Sequence, residues 1–175
     1  PISSDIMLIG EAPGEQEELQ GKPFVGPAGQ ILSAMLESAS DKINPRWNRD
    51  SLYITNTVKC RPTENGKNRE PNIKEIAMCK KFLDKEIEIV NPKLIICVGS
   101  VAANTIIHPN FKITEEHGKM FGDEVKMMAI YHPSFVLHKG PATPEGKSAY
   151  KKLALHMGIT AGMAGATGVP LYSAY

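Results

Sequence analysis

The chain has 175 residues, 42% of them hydrophobic and 22% charged, with 20 Lys and Arg against 19 Asp and Glu for a net charge of +1. That length suits one domain with a sizeable core. No apolar run approaches the ~20 residues of a membrane span, and a charge so near neutrality gives no global pull toward nucleic acid. A nucleic-acid partner would have to meet a local concentration of basic residues, for which Lys59, Arg61, Lys67 and Arg69 are one candidate group and His138, Lys139 and Lys147 another. No signal peptide is visible. The cysteines Cys60, Cys79 and Cys97 are too few and too scattered for a secreted disulfide framework, so a reducing cytoplasm is expected; the chain is also expected to be a monomer.

In chain order, Ile6-Met-Leu-Ile9 reads as a short buried strand. Residues 10–29 follow as a long loop with five glycines, Pro13, Pro23 and Pro27, the carboxylates Glu11, Glu15, Glu17 and Glu18, and a single aromatic, Phe24. The spacing of Ile31, Leu32, Met35 and Leu36 is helical. Leu52–Thr57 reads as the second strand. Ile73, Ile76, Phe82, Leu83, Ile87 and Val90 mark a second helix that Pro92 ends. Leu94–Val98 is the third strand, Ser100 the expected N-cap of a helix through Ile107, Lys126–Ile130 the fourth strand, and Lys147 to Met157 a last helix. Regular alternation of short apolar strands with helices predicts an α/β fold, a four-stranded parallel sheet in a three-layer α/β/α arrangement. It occupies residues 1–157, with 158–175 as a Gly-rich tail. In such folds ligands bind at the carboxyl ends of the strands, where the loop after Ile9 lies.

Two nucleotide-binding readings fail on spacing. Residues 141–148 miss the P-loop pattern because Pro141 stands where Gly is needed, and the first loop lacks G-x-G-x-x-G. Three other stretches fit one family. They are Gly10-Glu-Ala-Pro-Gly-Glu-Gln-Glu-Glu18 with Gly21-Lys-Pro-Phe-Val-Gly-Pro-Ala-Gly29, then Tyr53-Ile-Thr-Asn-Thr-Val-Lys-Cys-Arg-Pro62, then Tyr131-His-Pro-Ser-Phe-Val-Leu137. In this order the sequence resembles the bacterial and archaeal uracil-DNA glycosylases of the iron–sulfur type, often called family 4, from about residue 6 to residue 157.

The resemblance implies an enzyme of base excision repair that flips uracil out of DNA and hydrolyses its N-glycosidic bond, leaving an abasic site. It should be monofunctional, because no lysine in the motifs is placed to attack the sugar. By the same resemblance Phe24 stacks on uracil, and Ala12 and Glu17 line its pocket, with Glu17 placed to exclude thymine's methyl group. Asn56 meets the N3–H and O4 edge, and His132 donates to O2. Glu11 positions water or favours positive charge on the sugar; how Glu11 and Glu17 divide the work stays open. Ser134 to Leu137 resembles the loop that enters the minor groove, with Leu137 as wedge, and Arg61, Ser134 and Lys139 contact DNA. The family usually carries Arg at the position of His138. Cys60 and Cys79 match the later two of the four cysteines that hold a [4Fe–4S] cluster; the earlier C-x-x-C is absent. As the chain stands no cofactor is required, and a cluster would need that missing pair. Cys97 reads as a small buried hydrophobe. The competing reading is a catalytically inactive relative that binds DNA or protein.

Overall fold

A computed structural model describes residues 3–42, 48–140 and 142–153; of residues 38–42 only the backbone is described. Four parallel strands, β1 (Ile6–Gly10), β2 (Tyr53–Asn56), β5 (Leu94–Val98) and β6 (Lys126–Ile130), form a sheet in the order β2-β1-β5-β6. β1 runs between its neighbours with Leu8 beside both Ile54 and Ile96. All five residues of β1 and of β5 are buried. This is what the uninterrupted apolar runs require of central strands covered on both faces.

Alternation along the strands sorts the core into two layers. On one face Leu8, Ile96, Val98 and Ile130 pack against Leu32, Met35 and Leu36 of α2 (Pro27–Lys42), Val136 of α6 (Ser134–Lys139) and Leu153 of a last helix, α7, at 144–153. On the other, Met7, Ile9, Ile95, Cys97 and Ala129 meet Leu83 and Val90 of α3 (Ile73–Val90) and Ala102 and Ala103 of α4 (Ser100–Ile106). Each fully buried Leu, Ile or Met contributes roughly 1.5–3 kcal/mol. The expected three-layer arrangement is observed.

Several local features differ from the sequence reading. The loop after β1 contains a short helix, α1 (Glu15–Gln20), stabilised by acidic residues in its first turn and by Glu17 reaching back to the Gly14 N–H. Gly21, at φ 66, ends it in the left-handed region. The N-cap of α4 is Gly99, with Ser100 already inside the helix. α3 ends at Asn91, itself left-handed, one residue before Pro92. Residues 134–137, expected as a loop, form the first turn of α6. α7 begins at 144, not 147; its expected end at Met157 and the expected tail 158–175 lie outside the described residues. A short helix, α5 (Ile113–Glu116), was not expected either.

Residues 63–68 form an antiparallel hairpin, β3 (Thr63–Glu64) with β4 (Lys67–Asn68), turned by Asn65 and Gly66 at φ 51 and 74. Asn-Gly is the pair such two-residue turns demand.

Candidate active site

The chain leaves β1 for β2 on one side and reaches β5 on the other, so the connections diverge at the carboxyl edge of the sheet and open a crevice there. The cleft has a volume of about 660 Å³. It collects residues far apart in sequence: Glu11, Ala12, Glu17 and Phe24 from the segment after β1, Asn56 from the end of β2, and His132, Ser134 and Leu137 from the segment after β6. Arg61 faces an adjoining cavity beyond the α1 segment. It donates to Asn68 Oδ1 at 2.7 Å and pairs with Glu18 at 3.4 Å. Lys139 lies at the far end of α6, its Nζ 5.6 Å from the centre of the Phe135 ring.

The floor of the cleft depends on a missing side chain. A Cβ on Gly10 would lie 2.5 Å from Phe24 Cζ and 2.6 Å from Asn56 Oδ1, so only glycine lets ring and amide meet over the end of β1. Phe24 itself has φ 50, a costly conformation for a non-glycine residue. Gly29 packs so closely beneath it that a Cβ there would overlap the Phe24 carbonyl.

Asn56 is 8% exposed. Its backbone is fixed: Thr57 donates both N–H and Oγ–H to the Gly10 carbonyl at 2.8 and 2.7 Å, and Lys59 Nζ donates to the Asn56 carbonyl at 2.8 Å. Lys59 is held in turn by Thr55 Oγ1 and Glu86, which also accepts from the Tyr53 hydroxyl. The side-chain amide of Asn56, by contrast, forms no hydrogen bond among the described residues. An unsatisfied buried amide costs about 1–3 kcal/mol, and here it faces the cleft.

Glu17 is committed to the protein itself. Its Oε1 accepts from the Gly14 N–H at 3.1 Å, and its Oε2 accepts from the Val25 and Gly26 N–H groups at 3.0 and 2.6 Å. The carboxylate therefore ties α1 to the turn that presents Phe24. Opposite it, Arg49 donates to the Pro23 and Phe24 carbonyls at 2.6 and 2.8 Å and to Ser33 Oγ at 3.0 Å. Arg49 was not singled out in the sequence; an arginine between Asn48 and Asp50 looks like ordinary surface.

Glu11 and His132, both in the cleft, have shifted protonation. Glu11 is pushed up to about 7, first by burial and then by the nearby Glu70. His132 is held down at about 4 by burial and by His138, against a smaller opposing pull from Glu17. The imidazole is thus neutral at pH 7. Its Nδ1 accepts from the Ser134 N–H at 3.1 Å and lies 2.8 Å from Ser134 Oγ. That assigns the ring proton to Nε2, which makes His132 a neutral donor. The His132 and Phe24 rings stand 6.1 Å apart.

The hairpin supplies a wall that the sequence reading missed, with Asn68, Arg69 and Glu70 on the cleft. Arg69, expected among the basic residues for DNA, instead makes a two-pronged pair with Glu75 at 3.0 and 2.5 Å and donates to the Thr63 carbonyl. The cysteines do not complete a cluster. Cys60 is exposed, Cys79 half-buried and Cys97 buried, where desolvation pushes its thiol up and disfavours the thiolate a metal needs. Among the described residues no group of three or more His, Cys, Asp or Glu is placed to hold a metal ion. Residues 1–175 alone therefore do not supply the donors of a four-cysteine site.

The sequence profile of the uracil DNA glycosylase superfamily matches residues 1–155. A type-4 uracil-DNA glycosylase of Archaeoglobus fulgidus is 37% identical over 159 residues, covering 86% of this chain and 75% of the relative. Those of Sulfurisphaera tokodaii and Thermotoga maritima are 38% and 36% identical over 144 and 140 residues, covering 77% and 78% of this chain and 62% and 68% of the relatives. With a cleft of this composition at the carboxyl edge of its sheet and a match over nearly its whole described length, the chain belongs to the uracil DNA glycosylase superfamily.

Proposed function

We propose that the chain is a monofunctional uracil-DNA glycosylase of base excision repair, which takes uracil out of the DNA stack into the cleft and hydrolyses its N-glycosidic bond. The observation that carries this reading is the buried amide of Asn56 beside Phe24, which has no hydrogen-bond partner among the described residues. Such an amide offers one donor and one acceptor side by side, matching O4 and N3–H of uracil and mismatching the amino group and bare N3 of cytosine. The base stacks on Phe24, a contact worth roughly 1–3 kcal/mol.

Bond breaking leaves negative charge on the base and positive charge on the sugar. His132 Nε2–H donates to O2 as that charge grows, and being neutral it need not lose a proton to do so. Glu11 in its ionised form favours the developing sugar cation and orients water. Ala12 lines the pocket beside it, and Glu17 acts mainly by holding the Phe24 turn. No lysine lines the cleft among the described residues, which supports hydrolysis without a Schiff base. Leu137, half-buried on the lip of the cleft, is the wedge that fills the vacated stack. Ser134, Arg61 and Lys139 contact the DNA backbone, with Arg61 the better placed of the two cations because it adjoins the cleft. Excision from a uracil-containing oligonucleotide, revealed by alkaline cleavage at the abasic site, tests this; an oligonucleotide left intact would refute it.

The proton on Glu11 couples activity to stability in opposite directions. If the carboxylate is the working form, kcat/KM rises with pH to a plateau above about 7, and Glu11→Gln flattens that limb while lowering the rate. For stability, the folded value near 7 lies above the ordinary 4.5, so folding favours the protonated acid. Its stabilising contribution is whole below about 4.5 and is lost as pH rises through about 7. Allowing for solvent access, Glu11→Gln should gain about 1–2 kcal/mol relative to the parent at pH 8 and little at pH 4. Denaturant melts at both pH values check it; equal differences at pH 4 and pH 8 would exclude a raised Glu11.

A further inference from the structure

The strained turn that presents Phe24 is gripped by a side chain from outside all three sequence motifs, and we infer that Arg49 is a positioning residue for base capture, acting through Phe24. Its functional part rests on the excision reading. Its structural part stands on geometry alone.

Two of the three hydrogen bonds of Arg49 go to consecutive carbonyls, those of Pro23 and Phe24 at 2.6 and 2.8 Å; the third, to Ser33 Oγ at 3.0 Å, braces the guanidinium against α2. The amides immediately following, Val25 and Gly26, go to Glu17. The turn is thus held by its carbonyls from one side and by its amides from the other. The grip has a purpose, because φ 50 at Phe24 is a conformation the residue leaves when released. Relaxation to the extended region would swing the ring away from Gly10 and Asn56, where its edge now rests. A guanidinium suits the task since its fixed fork spans two carbonyls, whereas an ammonium is a single point charge.

The test is a double-mutant cycle in single-turnover excision from uracil-containing single-stranded DNA, with Arg49→Met, Phe24→Ala and the pair. Arg49→Met should lower the rate about 10- to 100-fold, the scale of a misplaced substrate-contacting group, with DNA affinity little changed because backbone contacts dominate it. In the Phe24→Ala background the same substitution should cost less than about threefold, since its effect runs through the ring. Arg49→Lys should restore only a minor part of the loss. A loss of equal size in both backgrounds, or none in the parent, overturns the inference. Amide hydrogen exchange of the same proteins needs no catalysis: Val25 and Gly26 should exchange at least about tenfold faster in Arg49→Met while Ile96 in β5 keeps its protection. Unchanged exchange at Val25 and Gly26 also overturns it. A parent that excises nothing refutes the proposed function, and the exchange result then still decides whether Arg49 holds the turn.

Discussion

His132→Ala is expected to lower single-turnover uracil excision about 100- to 1000-fold, the usual cost of removing one preorganised donor to a developing anion. The size of the effect follows from how little freedom the ring has. Ser134 holds its Nδ1, Gly99 passes close beneath its Cβ, and the proton is left on the nitrogen free for the base. A low proton affinity also means that the donor does not change form across neutral pH. The substitution removes an acceptor of the Ser134 N–H, so a modest stability loss of about 1 kcal/mol accompanies it. DNA binding should persist. Rates from quenched reactions, with affinity for an uncleavable duplex measured alongside, separate the two effects; a fall of less than about tenfold would remove His132 from the reaction.

Asn56→Asp should be more damaging, with a loss of about 1000-fold or more on uracil, because a site built on a matched donor and acceptor rejects a mismatch strongly. The carboxylate has no N–H to give to O4. It would also share one cleft with Glu11 and Glu17, and Lys59, which bonds the Asn56 carbonyl, is already paired with Glu86. Asn56→Ala makes an informative companion. An amide with no partner among the described residues is a liability in the free protein, so Ala should leave stability within about 1 kcal/mol of the parent while activity falls severely. Thermal melts beside excision rates show whether fold and function part company in this way. If Asn56→Ala unfolds the protein, the amide has a structural partner and the assignment fails.

Much of this site is legible in the sequence because its residues sit in segments whose structure is set locally. Four apolar runs fix four strands, and parallel pairing follows from their alternation with helices. Glu11, Asn56 and His132 then fall at strand ends without knowledge of packing. What the sequence hides are long-range grips. Arg49 contacts carbonyls 25 and 26 positions earlier, and no periodicity announces that. The role of Glu17 is hidden for the same reason, since an acidic residue in a glycine-rich loop looks free until three amides are found around it. The hairpin at 63–68 was readable, its Asn65-Gly66 pair being a strong turn signal, although its strands are only two residues long. Residues 134–137 read as loop because they resemble the family's minor-groove loop, yet the Pro133 before them is compatible with a helix start.

The double grip on the Phe24 turn means that the pocket exists before any base arrives. A turn held in this way should need no conversion from a misshapen form, which would spare binding the cost of a conformational equilibrium. A preformed recess for one heterocycle is equally open to that heterocycle once detached. On the proposed assignment, Phe24 and Asn56 would offer the same contacts to uracil in DNA and to uracil released. Free uracil is therefore expected to compete with substrate for the cleft, an outcome that excision rates measured with added uracil would check.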